Sequence, residues 1–246
     1  MKDYKILLSL LSIAIITLSL ALPKPGIAAT LSQEEAKRLL IDTSTIATYL
    51  TLKGESDYAN KPDNIIKAAL FGAFDAKMEF TFEQEQRKEE GKQTQSDTTA
   101  MFTVNGQPVT ADQVLMREEA PEIFKNLSEK FTCFVSKEAV ALAALHFTGH
   151  SIKNHKAPKG DEVLGDTLLN DKGYFVSIEG LGDAPTEAVL KSVSPQGDGF
   201  VLRGEVVEVM GDPEEMEKPG KFCLELKPGD VPGTWKRQYS EIGVAN

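Results

Sequence analysis

Between Tyr174 and Ile242 the chain is interrupted at short intervals by turn signals. These are Gly180-Leu181-Gly182-Asp183, Pro195-Gln196-Gly197-Asp198-Gly199, Gly211-Asp212-Pro213 and Pro228-Gly229-Asp230. Such punctuation leaves strand candidates at Tyr174–Glu179, Glu187–Val193, Phe200–Val209, Lys221–Leu226 and Thr234–Ile242. Short turns between consecutive strands impose antiparallel neighbours, so this half of the chain reads as a meander.

Upstream the signals are helical. Ser32-Gln33-Glu34-Glu35 is a capping box, and Ala36, Leu39, Leu40, Thr43 and Ala47 follow at helical spacing, predicting a helix over Gln33–Tyr49. Lys53 to Pro62 is a polar loop. Asp63 caps a second helix, Asn64–Phe74, with Ile65, Ile66, Ala69, Leu70 and Ala73 on its buried side. Thr110 and Gln113 form another capping box, predicting a helix over Ala111–Glu119, and Pro121 opens a segment to about Phe131. Ser136 caps an alanine-rich helix from Lys137 to about Gly149, followed by a loop over Ser151–Lys172.

Lys77 to Val104 has a different pattern. Met78, Phe80 and Phe82 alternate with polar residues, as do Ala100, Phe102 and Val104, on either side of the charged run Glu83–Lys92. Period two predicts a long β-hairpin with its tip near Glu89-Glu90-Gly91. The alternative is a solvated helix through Glu83–Lys92, ended by Gly91. Asn105-Gly106 is a strong type I′ turn signal. Val104–Thr110 resembles the short turn that opens many periplasmic peptidyl-prolyl isomerase chaperones. That likeness covers seven residues, with no isomerase domain pattern behind it.

Helices followed by a run of strands predict an α+β fold. The expected organisation has an N-terminal helical segment with a β-hairpin over 30–110. An α+β domain then covers 111–246, its C-terminal antiparallel curved sheet packed on helices. In architecture this resembles the cone of NTF2-like or cystatin-like domains.

The first residues set the compartment. Lys2 and Lys5 precede a largely apolar run, Ile6–Leu22, broken by Pro23 and Pro25 and followed by Gly26-Ile27-Ala28-Ala29. This is the pattern of a secretory signal peptide over 1–29. The alternative is an uncleaved membrane anchor. The expected product is soluble, exported to the periplasm or secreted, without a stable membrane anchor. The chain carries a net charge of −10, which disfavours nucleic acid as a partner. Removing the basic leader makes it more acidic.

An exported chain with two cysteines, Cys133 and Cys223, predicts one disulfide between them; the alternative is two buried, inert thiols. All three histidines fall within ten residues: His146, His150 and His155. His146 and His150 at i, i+4 would share a helix face, as a two-histidine metal pair requires. Asp161, Glu162 or Asp166 would add an oxygen ligand, and zinc would accept the set, as would copper or nickel. The alternative is a core His146 and a capping His150, since Gly149 ends the helix and no H-E-x-x-H pattern is present. The same loop carries Lys153, Lys156 and Lys159, candidates to receive an anionic group, or else ordinary solvated lysines.

Signatures of nucleophilic catalysis are lacking: there is no G-x-S-x-G elbow and no C-x-x-C pair. Gly197-Asp198-Gly199 reads as a hairpin turn rather than a phosphate loop. Glu205, Glu208, Glu214, Glu215 and Glu217 read as a solvated rim. Trp235 reads as core, with Tyr239 as its one aromatic neighbour on the same face. The functional expectation is a non-enzymatic binding protein that holds a small apolar or amphipathic ligand or an envelope protein. The alternatives are an enzyme or metal-binding protein using the histidines, and an interaction module whose contact is Glu83–Lys92.

Overall fold

The computed structural model describes residues 31–32, 34–37, 39, 61–89, 100–161, 163–178, 186–208 and 220–243. The expected leader 1–29, most of the first expected helix, the expected Glu90-Gly91 tip, Glu162, the expected turns at 180–183 and 211–213, and Glu214, Glu215 and Glu217 lie outside these. So do the side chains of Glu208 and Tyr239. The chain divides after Thr30, and everything below concerns the unit Leu31–Asn246.

The capping box at Ser32 forms as expected. Glu35 N–H donates to Ser32 Oγ at 3.1 Å, and Ser32 N–H donates to Glu35 Oε2 at 2.9 Å. Residues 34–37 are helical and Ala36 is fully buried.

Helix α1 spans Pro62–Glu89, 28 residues, far beyond the expected stop at Phe74. The expected long hairpin over Lys77–Val104 is therefore overturned, because its first arm is helix. Ile66, Ala68, Ala69, Leu70 and Ala73 bury the N-terminal half, and propagation from an anchored helix is favourable. Glu, Gln, Lys and Arg in 83–89 are all good helix formers. Thr81 Oγ1 donates back to Lys77 C=O at 2.9 Å, and Glu83 pairs with Arg87 at i, i+4. Met78 and Phe82, which suggested a strand by alternation, are also i, i+4. They lie exposed on one face of the helix.

The hairpin that does form is shorter and lies downstream. β1 (Ala100–Val104) pairs antiparallel with β2 (Gln107–Thr110) around Asn105 and Gly106. Their φ angles of 50° and 78° are those of the type I′ turn the dipeptide signals.

Gln113 accepts from Thr110 N–H at 3.0 Å, but only a 3₁₀ turn, Ala111–Gln113, follows. The helix expected over Ala111–Glu119 gives way to strand β3 (Val114–Met116). Val114 is fully buried opposite Val135, so cross-strand packing decides its state. After Pro121 only one helical turn forms, α2 (Pro121–Phe124). The carbonyls beyond it are taken by Arg117, which donates from Nε to Phe131 C=O at 2.8 Å and from Nη2 to Ser128 C=O at 2.6 Å. The same guanidinium lies 5.0 Å from the Phe124 ring centre. Phe124, Phe131, Phe134 and Phe175 form a small separate core there.

β4 (Cys133–Ser136) leads into α3 (Lys137–Thr148). Both ends of α3 follow the sequence. Ser136 Oγ accepts from Ala139 N–H at 3.1 Å, and Gly149 closes the helix at φ 70°. Helices α1 and α3 pack through small residues, and Gly72 admits the Phe147 ring where a Cβ would overlap it.

β5 (Leu164–Leu169) occupies what was expected to be loop, with a register shift between Leu164 and Thr167. Gly160 and Gly165, which looked like loop breakers, bring two backbones together beside this irregular edge strand. β6 (Gly173–Ile178) pairs with β4 and β5, giving the antiparallel order β3-β4-β6-β5. It was expected to begin the C-terminal meander. Tyr174, Phe175 and Val176 are all buried, so β6 sits centrally between two strands.

The meander proper comprises β7 (Thr186–Gln196), β8 (Gly199–Glu208), β9 (Gly220–Pro228) and β10 (Trp235–Gly243), in the order β10-β9-β8-β7. Phe200, Leu202, Phe222, Leu224 and Leu226 join α1, α3 and the first sheet in one core. The fold is α+β, with two four-stranded antiparallel sheets where the pattern suggested one curved sheet.

Cys133 on β4 and Cys223 on β9, the expected disulfide partners, are both buried free thiols. Burial pushes the Cys133 thiol up to about 12, so it is not a nucleophile near neutral pH. No helix of the described residues is long and apolar enough to cross a membrane.

Candidate functional site

The chain leaving α3 runs as an irregular segment from His150 to Val163 along the N-terminal half of α1. Specific contacts hold it at each end. Asp230 anchors its beginning: its N–H donates to Gly149 C=O at 2.8 Å, and Oδ2 accepts from Ser151 N–H at 2.9 Å. Lys236 pairs with Asp230 Oδ1 at 2.6 Å, while His150 Nδ1 lies 3.7 Å from Oδ2. The Lys236 ammonium and the Ser151 amide hold the Asp230 carboxyl below its ordinary value.

The middle is held by Tyr174, which is fully buried. Its oxygen lies 2.9 Å from His155 Nδ1 and accepts from the Lys156 backbone N–H. Burial pushes the phenol up to about 12, so its O–H remains available to donate to a neutral His155.

Asp63, in the first turn of α1, pairs with the Lys156 ammonium and accepts from the Lys159 backbone N–H. Both interactions lower its pKa, with Lys156 the larger cause. At the far end the Lys67 ammonium meets Asp161 Oδ2 at 3.0 Å, with side chains 11% and 8% exposed. Asp161 Oδ1 accepts from the Val163 and Leu164 amides, each at 3.0 Å.

Between helix and segment lies a groove of about 390 Å³. Pro62, Ile65 and Ile66 supply one wall, and Ile152, Lys153 and Lys156 the other, with Ser151 and Asn154 completing it. Its volume falls within the range typical of small-molecule sites. A second, smaller cleft of about 180 Å³ lies between the β1–β2 turn and the start of β10. His146, Asn105, Thr234, Trp235 and Arg237 line it. Arg237 is 4% exposed and donates from Nη1 to Phe147 C=O at 3.0 Å, which fastens β10 to α3.

The structure gives each histidine a different neighbour. His146 stacks on Phe102 at 4.8 Å, His150 faces Asp230, and His155 faces Tyr174. Gly149 in the left-handed region ends α3 before His150, so the pair does not continue one helix face. Asp161 is committed to Lys67 and Asp166 to Lys130. Among the described residues no group of three or more His, Cys, Asp or Glu side chains is placed to hold a metal ion. Of the three lysines, Lys153 and Lys156 reach the groove. Lys159 contributes its backbone amide to Asp63. Trp235 is half-buried, edge-on to Phe200 at 5.6 Å.

Comparison with protein-family models, with curated proteins and with solved structures returns no match. The functional reading therefore rests on the groove and its neighbours.

Sequence reasoning missed Ile152, Tyr174 and the Lys67–Asp161 pair as parts of one site. Ile65 and Ile66 were legible as helix core, whereas Asp63, expected as a cap, lies inside the first turn because the helix already begins at Pro62. Ile152 stands alone in a polar run, so periodicity says nothing of it.

The two anchoring histidines make the segment sensitive to acid. Burial, aided by Lys236 and opposed by Asp230, lowers the His150 pKa from the ordinary 6.5. Burial, aided by Lys137 and opposed by Glu138, lowers that of His155. The folded state thus favours neutral rings, and unfolded chains bind protons that folded ones do not as pH falls below 6.5. A second loss follows below 3.8, when Asp63 and Asp230 protonate more readily unfolded than folded. Denaturant midpoints measured against pH should decline in these two stages. His155→Gln, which keeps an acceptor for Tyr174 but cannot titrate, should flatten the first stage; an unchanged slope would refute this assignment.

Proposed function

We propose that the protein is an exported, soluble, non-enzymatic binding protein that holds a small amphipathic ligand between the start of α1 and the segment after α3. The observation that carries this reading is the groove itself, apolar at Pro62, Ile65, Ile66 and Ile152 and polar at its lysines. Hydrophobic lining with a few placed polar groups is how small-molecule sites combine affinity with orientation. The wall is held by side chains that reach from α1, β6 and the β9–β10 turn, so the groove is preformed and loses little entropy on binding. Export is supported by the leader pattern of 1–29.

The test is a native mass spectrum of the protein recovered from an oxidising compartment. The expected result is a mass above that of the cleaved chain, with the excess released by organic solvent and missing from Ile152→Asp. A bare mass, together with unshifted Ile65, Ile66 and Ile152 amide resonances on adding an envelope lipid extract, would overturn the reading.

A further inference from the structure

We infer that the ligand of this groove is a single-tailed amphipathic anion, its tail against Pro62, Ile65 and Ile152 and its negative head at the Lys153 ammonium. This rests on the binding reading above and adds the sign of the ligand's charge.

The argument is one of charge balance in a small space. Of the two lysines that line the groove, Lys156 is already neutralised by Asp63. Lys153 lines the groove, is exposed, and has no ion-pair partner among the described residues. Lys61, adjacent in the chain to the lining residue Pro62, is also exposed and without such a partner. The groove lining contains no aspartate or glutamate, in a chain whose net charge is −10. Among the described residues the unbalanced charge at the groove is therefore positive, the reverse of the chain as a whole. A cationic head would meet uncompensated ammonium groups there, whereas an anionic head would gain them.

The apolar part of the lining sets the other half of the ligand. A small, strongly hydrated anion such as free phosphate would leave the exposed Pro62 and the half-buried Ile65 and Ile152 in water and gain nothing from them. A tail that covers these residues gains the burial of apolar area. The groove also lies between a helix and a peptide segment rather than on a broad flat face, which suits a free amphiphile better than a membrane surface.

The test titrates the purified protein near neutral pH with octanoate, octanol and octyltrimethylammonium, followed by calorimetry and by amide resonances. Octanoate is expected to bind about five- to tenfold more tightly than octanol, and the cation more weakly than either. Added salt should reduce that ratio. Lys153→Glu, at an exposed position where folding is readily checked by circular dichroism, should abolish the advantage of octanoate over octanol.

Equal binding of octanoate and octanol, both insensitive to Lys153→Glu, would overturn the anion assignment while leaving the groove as a binding site. Failure of all three to shift the groove amides would overturn both. Flotation of the protein with phosphatidylglycerol vesicles, abolished by Lys153→Glu, would assign the charge to a membrane and overturn the free-ligand form.

Discussion

Lys67→Met is expected to destabilise the protein by about 3–5 kcal/mol, because it removes the ammonium that meets the buried Asp161 carboxylate at 3.0 Å. The Asp161 side chain is 8% exposed, and its Oδ1 is already engaged by the Val163 and Leu164 amides. Neither oxygen can turn freely to water. The loss is a large share of the stability of an ordinary domain, so the variant should be partly unfolded at physiological temperature. It should also loosen the wall of the groove, because Asp161 is the far anchor of the segment that forms it. Urea denaturation measures the first effect, and hydrogen exchange at Val163 and Leu164 the second. The double variant Lys67→Met/Asp161→Asn removes both charges while keeping an oxygen for the two amides. It should recover at least half of the loss. A single variant that costs less than about 1 kcal/mol would show that the pair behaves like an exposed one.

Gly149→Ala should cost about 3–4 kcal/mol, from two sources that can be separated. The residue sits at φ 70°, where a side chain is strained. It also touches the second sheet, since a Cβ there would fall within the backbone of Trp235 and Lys236. Gly106 provides the control. Its φ is 78°, but nothing lies within 4 Å of a Cβ built on it. Gly106→Ala therefore reports the conformational cost alone, about 1–2 kcal/mol. The excess at Gly149 measures how closely α3 is docked on β10. If the two variants lose the same stability in thermal or urea unfolding, that docking is not tight. Because Asp230 N–H bonds Gly149 C=O, the larger loss should be accompanied by faster exchange at Asp230.

The two variants act at opposite ends of the same segment, and they differ in how visible they were in the sequence. Gly149 was legible. An alanine-rich helix that begins at Ser136 and meets a glycine after its last turn carries its own stop signal, and the αL geometry follows from residues within one helical turn. That the same glycine abuts Trp235 was not, because the contact joins elements far apart in the chain. Lys67 is a lone lysine in the apolar run from Ile65 to Phe74, and Asp161 an acid in a Gly- and Pro-rich loop. Neither carries a local mark of burial.

The errors have the same origin. Met78, Phe80 and Phe82 satisfy a period of two and, in part, a period near four, and five residues are too few to separate them. Continuity with the buried half of α1 settles the matter in favour of helix. Val114 to Met116 follows a sound capping box, yet pairing with β4 overrides it. In both cases a weak local preference gives way to burial that only the assembled core supplies.

By itself the sequence determined the α+β class, the ends of α3, the Asn105-Gly106 turn and the strands of the C-terminal meander, because caps, turns and alternation act between residues close in the chain. Tertiary structure alone decided the length of α1, the membership of β6, the separation of the three histidines and the groove. Each depends on which distant surfaces bury one another. The free energy of that burial belongs to the pair of surfaces and is written in neither segment alone.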